Sequence, residues 1–193
     1  RTGQTRSRGD RNLIEKAARL LLSAQHPVII AGGGVQWSNA AEEVTGMADL
    51  LGAAITTSYG RADAVPSDHP NFLGHLGRLG ATEAIEAVRQ SDVILAVGTR
   101  LAQSTTFYDN RFIPADAQII QIEIDPEELG RNYPISVGIE GDAKAVMQGL
   151  LEVVRDAEPR RNQPWVEDIG DWHARRNDRL ENEGRLDSPL IKP

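Results

Sequence analysis

Short runs of wholly apolar residues constrain the fold of this chain more than any other feature. Two of them are Val28–Ala31 and Val93–Val97, and a further strand is predicted over the largely apolar Ile119–Ile124. Uninterrupted apolar runs of this length are typical of parallel strands that helices cover on both faces. They are far shorter than the roughly 20 apolar residues that span a membrane, so the sequence predicts no membrane-spanning segment and no membrane partner.

Amphipathic segments separate these runs. Two further short strands are predicted over Ala54–Thr57 and Ile135–Ile139, and residues 58–80, rich in Gly, Pro, Asp and His, are predicted to form a loop. The predicted helices are one that Asn12 caps and that ends near Pro27, one that Ser38 or Asn39 caps and that ends at Leu51, one over Thr82–Gln90, one that Asp142 caps, and one over Trp165–Arg185. This alternation predicts an α/β fold with a parallel sheet between two layers of helices.

Amino-acid composition and hydropathy pattern divide the chain into three regions. Residues 1–11 are polar and basic and resemble a linker, residues 12–155 hold the α/β pattern, and residues 156–193 mix charges with scattered apolar residues, as a helical connector does. Linker-like sequence at both ends is what we expect of a domain within a longer polypeptide.

Charge and composition exclude several classes of function. The net charge is −7 and the few arginines at the start form no cationic face, so no nucleic-acid partner is expected. The absence of cysteine excludes disulfides, thiolate metal sites and a cysteine nucleophile. The four histidines lack metal-ligand spacing, and Asp68 and His69 are adjacent with no Gly-x-Ser-x-Gly nearby. We therefore expect no catalytic residue and no metal ligand, and a cytoplasmic location is the default because no signal peptide is apparent.

Glycines and acidic residues follow the predicted strands. They are Gly32, Gly33 and Gly34, then Gly98, Thr99 and Arg100, then Asp125, and finally Gly141 and Asp142. The carboxyl ends of parallel strands are where ligands bind, and this set is typical of a nucleotide site. Each also has a structural interpretation. The glycines would form only a tight turn, because Trp37 stands where Gly-x-Gly-x-x-Gly has its third glycine. Arg100 would form an ion pair, and Asp125 and Asp142 would cap helices.

Five short motifs in order resemble a known family. They are Pro27–Val35, Asp68-His69-Pro70 with Phe72-Leu73-Gly74, Ser91–Leu95 leading to Gly98-Thr99-Arg100, Ile122–Pro126, and Gly141-Asp142-Ala143. Over about residues 12–155 the chain is similar to the central domain of thiamine-diphosphate-dependent enzymes, the group of acetolactate synthase, pyruvate oxidase, sulfoacetaldehyde acetyltransferase and oxalyl-CoA decarboxylase. The tail, with Lys192-Pro193, resembles the connector to the next domain of that family.

This resemblance implies a three-layer, Rossmann-like domain of about six parallel strands, like the DHS-type NAD/FAD-binding domains. It implies a full-length homo-oligomeric enzyme that decarboxylates or transfers acyl units from 2-keto acids, with thiamine diphosphate and Mg held by pyrimidine-binding and diphosphate-binding domains of the same polypeptide. It also implies that this domain holds FAD, ADP or nothing. The matching positions are Gly32, Gly33, Gly34, Gly74, His75, Gly77, Gly98, Thr99, Arg100, Glu123, Asp125, Gly141 and Asp142.

The sequence departs from the family after Arg100. The flavin-binding synthases share an Arg-Phe-Asp-Asp-Arg run, whereas Leu101 follows here and Asp109-Asn110-Arg111 comes late. This departure argues against binding of a flavin ring. It is still compatible with a site for the adenine and pyrophosphate part of a nucleotide. Two alternatives stay open: a free-standing nucleotide-binding or scaffolding module of the same fold, and an NAD-dependent deacylase-like sheet, although the catalytic histidine and zinc module of the latter are not visible.

Overall fold

The computed structural model describes residues 5–109 and 112–184, so the predictions for Asn110, Arg111, Arg185 and Lys192-Pro193 lie outside the described residues. The elements follow one another as α1 (Arg11–Ser23), β1 (Pro27–Ala31), α2 (Gly33–Ser38), α3 (Ala41–Leu51), β2 (Ala54–Thr57), β3 (Phe72–His75), α4 (Thr82–Gln90), β4 (Val93–Val97), α5 (Gln103–Thr106), β5 (Gln118–Glu123), a 3₁₀ turn (Pro126–Glu128), β6 (Val137–Glu140), α6 (Ala143–Asp156) and α7 (Gln163–Gly184).

The sheet has six strands in the order β3-β2-β1-β4-β5-β6, and every pair is parallel. At its centre, Ile29 of β1 lies beside Ile55 of β2 and Leu95 of β4. The chain begins the sheet at β1, extends it in one direction to β3, and then returns to extend it in the other direction from β4. The carboxyl ends of β1 and β4 therefore flank the topological switch point, where open parallel sheets bind ligands.

Alternate residues of each central strand enter different hydrophobic clusters. Ile29 and Leu95 pack with the helices α1, α3 and α6 on one face of the sheet, and Ile30 and Ile94 pack with α4 and α7 on the other. The predicted three-layer α/β fold is confirmed.

Helix α7 completes the second face. Trp165, Ile169 and Trp172 are buried there, and the indole N–H of Trp165 donates to the Pro27 carbonyl oxygen at 3.3 Å. The tryptophan rings contact each other edge to face, with centroids 5.2 Å apart. The tail of the described chain thus packs on its own domain.

Three local predictions were wrong. Asp10 rather than Asn12 caps α1, because its carboxylate accepts from the amides of Asn12 and Leu13. The helix predicted to end at Leu51 is α3, but Ala40 precedes it as the N-cap; Ser38 and Asn39 instead end an additional short helix, α2, with Asn39 in a left-handed conformation. Residues 58–80 contain the edge strand β3, which pairs with β2 and with no other strand of the described residues.

Several other local predictions are confirmed, although the last strand, β6, begins at Val137 rather than at the predicted Ile135. Helix α4 has the predicted bounds, Asp142 caps α6 through the Ala145 amide, and Asp125 caps the 3₁₀ turn through the Glu127 amide. No helix among the described residues combines the length and apolar character needed to cross a membrane.

Candidate functional site

Two adjoining cavities lie along the carboxyl edge of the sheet. The larger has a volume of about 540 Å³ and the smaller about 160 Å³. The two cavities share five lining residues: Gly34, Trp37, Gly98, Glu123 and Ile124. Because they share these residues, the cavities form one continuous depression across the ends of β1, β4 and β5, which we call the rim groove.

The glycines that follow β1 and β4 pack against each other at the floor of the rim groove. The Gly34 amide donates to the Gly98 carbonyl oxygen at 3.0 Å, and the Gly32 amide donates to the Val97 carbonyl oxygen at 2.9 Å. A Cβ on Gly32 would overlap the Gly98 carbonyl oxygen, and one on Gly34 would lie 2.6 Å from the Gly98 Cα. Contact between two backbone turns thus accounts for glycine at Gly32 and Gly34, whereas Gly33 faces the side chain of Arg61.

Hydroxyl groups join the loops beside these glycines. Ser58 Oγ and Thr99 Oγ1 lie 2.7 Å apart and are buried, and Thr105 Oγ1 accepts from the Tyr59 amide at 3.3 Å. The buried side chain of Gln121 donates to the Thr99 carbonyl oxygen at 3.1 Å. The loops after β2 and β4 are therefore held in fixed positions on one side of the rim groove.

Glu123, the last residue of β5, is nearly buried where the two cavities meet. Its Oε1 accepts from the Ile124 amide at 2.9 Å. Burial raises the pKa of Glu123 above its usual value, although the Ile124 amide and the nearby Arg100 guanidinium act in the opposite direction. Burial therefore leaves the ionised Glu123 carboxylate poorly solvated. A hydrogen-bond donor or a cation of a ligand would stabilise this ionised form.

Asp142 lies at the far end of the smaller cavity. Its Oδ1 accepts from the Ser38 hydroxyl at 2.8 Å, from Arg6 Nη1 at 2.9 Å and from the Ala145 amide at 3.1 Å. Burial alone would raise the pKa of Asp142, but these three donors outweigh it and hold the pKa below its usual range. The carboxylate is therefore ionised over the whole neutral range, and the segment before α1 is fastened to the site through Arg6.

The structure brings most of the predicted site residues together. Those that line the rim groove are Gly33, Gly34, Gly98, Thr99, Arg100, Glu123, Gly141 and Asp142. Gly32 lies beneath them, against Gly98 and Thr99.

The remaining four predicted residues do not line the rim groove. Gly74 packs against Ala81, and Asp125 caps the 3₁₀ turn. His75 and Gly77 lie one layer behind, where the His75 ring is 6.4 Å from the Tyr59 ring and a Cβ on Gly77 would lie 3.0 Å from the Tyr59 Cβ. They belong to β3 and its loop at the sheet edge, two strands away from the switch point.

Sequence reasoning missed several lining residues. Trp37, Tyr59 and Ile124 are large apolar side chains with exposed fractions of 85%, 46% and 61%, and all three line the rim groove. Exposed apolar groups gathered at one cleft mark a binding surface. The signal available in the sequence was the placement of Trp37 at the third-glycine position and of Tyr59 and Arg61 directly after β2.

The chain matches the family model described as "Thiamine pyrophosphate enzyme, central domain" over residues 14–150. It belongs to this family, which is the family that the ordered motifs of the sequence indicate.

The relatives are enzymes with longer chains. The chain is 38% identical over 156 residues to a probable acetolactate synthase large subunit of Methanocaldococcus jannaschii, which covers 81% of this chain and 26% of that protein. It is 41% identical over 153 residues to a sulfoacetaldehyde acetyltransferase of Alcaligenes xylosoxydans xylosoxydans, covering 78% of this chain and 25% of that protein, and 33% identical over 208 residues to that of Castellaniella defragrans, covering 97% and 35%. The chain thus spans about a quarter to a third of the length of these relatives.

Proposed function

We propose that this chain is the central domain of a longer thiamine-diphosphate-dependent enzyme of the acetolactate synthase type. Its own function is then to bind an adenine nucleotide, FAD or ADP, in the rim groove, and it catalyses no reaction alone. The observation that carries the nucleotide proposal is the rim groove itself, which lies at the β1/β4 switch point and has glycine backbone at its floor, carboxylates at one end and arginines at the other.

The lining residues fit the parts of such a nucleotide. The backbone at Gly33 and Gly34 admits a close approach of phosphate, and Arg100 would pair with it. Glu123 and Asp142 would accept from ribose hydroxyls or the adenine amino group, and the exposed face of Trp37 offers a stacking surface. FAD, when bound, would supply redox capacity through its flavin ring, whereas ADP would supply none.

The size of the rim groove supports a ligand of this class. Its larger cavity, of about 540 Å³, falls within the roughly 300–1,000 Å³ of small-molecule sites. The segment after Arg100 carries Leu101, whose side chain is buried, where the flavin-binding synthases have a phenylalanine and acids. This difference favours ADP, or the ADP half of a larger nucleotide, as the bound group.

Thiamine diphosphate and its metal do not fit the residues of this chain. Across residues 5–109 and 112–184, no three histidine or acidic side chains are grouped so that they could hold a metal ion. The family's metal motif, Gly-Asp-Gly followed by Asn-Asn, is absent, since Ala143 follows Gly141-Asp142. We therefore place that cofactor and Mg in the pyrimidine-binding and diphosphate-binding domains of a longer polypeptide, a cytoplasmic homo-oligomeric lyase or acyl transferase. The greater length and the names of the relatives support this proposal.

Calorimetric titration of the purified chain with FAD, ADP and CoA tests the nucleotide proposal. We expect micromolar or tighter binding of FAD or ADP, and weaker binding of the same ligand by Glu123→Gln. Glu127→Gln is the matched control, because Glu127 is exposed on the 3₁₀ turn and lines neither cavity. Absence of binding by all three ligands would overturn the nucleotide proposal.

The coding sequence beyond residue 193 tests the placement in a longer enzyme. We expect a further domain there that contains Gly-Asp-Gly followed by Asn-Asn. A stop codon directly after Pro193, or a following domain without that motif, would favour the free-standing module instead.

A further inference from the structure

Arg61 lies against the first glycine turn. Its Nε stands 2.9 Å from the position that a Cβ on Gly33 would occupy. The missing side chain at Gly33 therefore lets the guanidinium group lie directly over the turn after β1. Two backbone hydrogen bonds, from the Arg61 amide to Ser58 and from the Ala64 amide to Arg61, fix the loop that carries it. Arg61 thereby lines the larger cavity of the rim groove.

The guanidinium group of Arg61 has no carboxylate partner within the described ranges. The nearest acid in the sequence, Asp63, accepts from Gln36 Nε2 at 2.6 Å. Arg61 is exposed, so its charge is neither neutralised nor shielded by the protein. A cation that a hydrogen-bonded loop carries into a cleft, and that has no carboxylate partner there, can pair with the anion of a ligand.

The charges of the rim groove are separated along its length. Arg61 and Arg100 line only the larger cavity, Asp142 lines only the smaller one, and Glu123 lies between them. Arg100 is only loosely paired, since its Nε is 3.8 Å from a Glu128 oxygen that Arg131 contacts at 2.8 Å. Two cationic side chains therefore line the larger cavity, and the acidic side chain of Asp142 lies at the smaller one.

We propose that Arg61 is an anion-binding residue of the rim groove, which recognises the phosphates of a nucleoside diphosphate and so selects it over the nucleoside. This inference rests on the proposed nucleotide function and adds a residue and a ligand orientation to it. The phosphates lie over Gly33 between Arg61 and Arg100, and the nucleoside extends toward Glu123 and Asp142. The planar guanidinium group donates two parallel N–H bonds to phosphate oxygens, which an ammonium group cannot do.

Calorimetry with ADP, AMP and adenosine on the wild type, Arg61→Gln, Arg61→Lys and Arg19→Gln tests this inference. We expect Arg61→Gln to weaken ADP binding about 10-fold or more and to leave adenosine binding unchanged. Arg61→Lys should recover only part of the loss. Arg19 is exposed on α1 and lines no part of the rim groove, so Arg19→Gln should bind ADP as the wild type does. Binding of ADP should also depend less on salt in Arg61→Gln.

The outcomes separate this inference from the proposed function. If the wild type binds neither ADP nor FAD, both are overturned. If the wild type binds ADP and Arg61→Gln binds it equally well, the role of Arg61 is overturned and the nucleotide function stands. An equal loss of ADP and adenosine binding in Arg61→Gln would also overturn it, because the side chain would then act on the shape of the loop. Equal urea midpoints of the variant and the wild type show that the variant is folded.

Discussion

The Gly34 amide donates a hydrogen bond to the Gly98 carbonyl oxygen at 3.0 Å. This contact joins the turns that follow β1 and β4, the two strands on either side of the switch point. Both glycines also line the rim groove. The same residues thus form the floor of the candidate site and a close contact between two backbone turns, so a change at either glycine affects both the stability and the site.

Gly98→Ala should destabilise the domain by at least about 2 kcal/mol. The φ angle of Gly98 is +56°, which disfavours any side chain, and a Cβ would overlap Gly34. Gly170→Ala is the matched control, because Gly170 is exposed in α7 with nothing within 4 Å of a Cβ. It should raise stability by about 0.5–1 kcal/mol, since alanine favours helix. Urea denaturation measures both, and a Gly98→Ala variant as stable as the wild type would contradict the packing account.

Asp142→Ala should lower the free energy of unfolding by about 1–2 kcal/mol at pH 7, because it removes the cap of α6. The folded-state pKa of Asp142 lies below its usual range, so the ionised carboxylate stabilises the folded state. This contribution is present above the unfolded-state pKa and is lost as the pH falls through the folded-state pKa. The difference between wild type and variant should therefore shrink in acid.

Urea denaturation between pH 7 and pH 3 checks the Asp142 prediction. Asp125→Ala is the matched control, since the Asp125 carboxylate caps only the three-residue 3₁₀ turn and has no arginine partner within the described residues. We expect a smaller loss in that variant. A difference between wild type and Asp142→Ala that grows as the pH falls would show that the Arg6 and Ser38 contacts do not stabilise the ionised form.

Glu123→Gln should raise stability at neutral pH. Burial raises the folded-state pKa of Glu123, so ionisation opposes folding. The stabilisation that the protonated Glu123 carboxyl group gives the folded state is fully present below the unfolded-state pKa, near 4.5. This stabilisation is lost as the pH rises through the higher folded-state pKa. Glutamine keeps an oxygen that accepts from the Ile124 amide. The gain over the wild type should be absent at pH 4 and present at pH 8 in urea denaturation, whereas Glu127→Gln should show no such trend. A Glu123→Gln variant less stable than the wild type at pH 8 would refute this.

Trp165→Ala should lower stability by about 3–5 kcal/mol, although it lies outside residues 12–155. Its ring is buried at 1% exposure, contacts Trp172 and His26, and donates to Pro27 in β1. Leu180→Ala, on the same helix but 45% exposed, should change stability by less than about 0.5 kcal/mol. Denaturant unfolding of both variants measures how much the packing of α7 contributes to the stability of the domain. A small effect at Trp165 would mean that α7 is a separate connector.

The sequence predicts the parts of this fold that burial on both faces imposes. The β1 and β4 strands consist of apolar residues throughout, because helices cover them on both sides. The β3 strand is only Phe72–His75, contains a glycine, and pairs irregularly with one neighbour, so no periodicity marks it. An edge strand with one partner needs no continuous apolar run.

The candidate site could be predicted where it consists of backbone and not where it depends on loop paths. Gly34 and Gly98 follow directly from their places at strand ends. Arg61 lies four positions beyond β2, and its approach to Gly33 depends on the course of a loop that no pattern in the sequence specifies. Gly74 and His75 fit the family motif, yet the order of the strands places them at the sheet edge.

Trp37 provides an optical measurement of the rim groove. The chain has three tryptophans, and Trp165 and Trp172 are buried while Trp37 is 85% exposed at the groove. Acrylamide should therefore quench mainly the Trp37 emission, and Trp37→Phe should remove most of that quenching. Trp172→Phe is the matched control and should leave it in place. If ADP or FAD occupies the rim groove, it should protect Trp37 from acrylamide in proportion to the calorimetric occupancy. Unchanged acrylamide quenching at saturating nucleotide would place the bound nucleotide away from Trp37 and outside this groove.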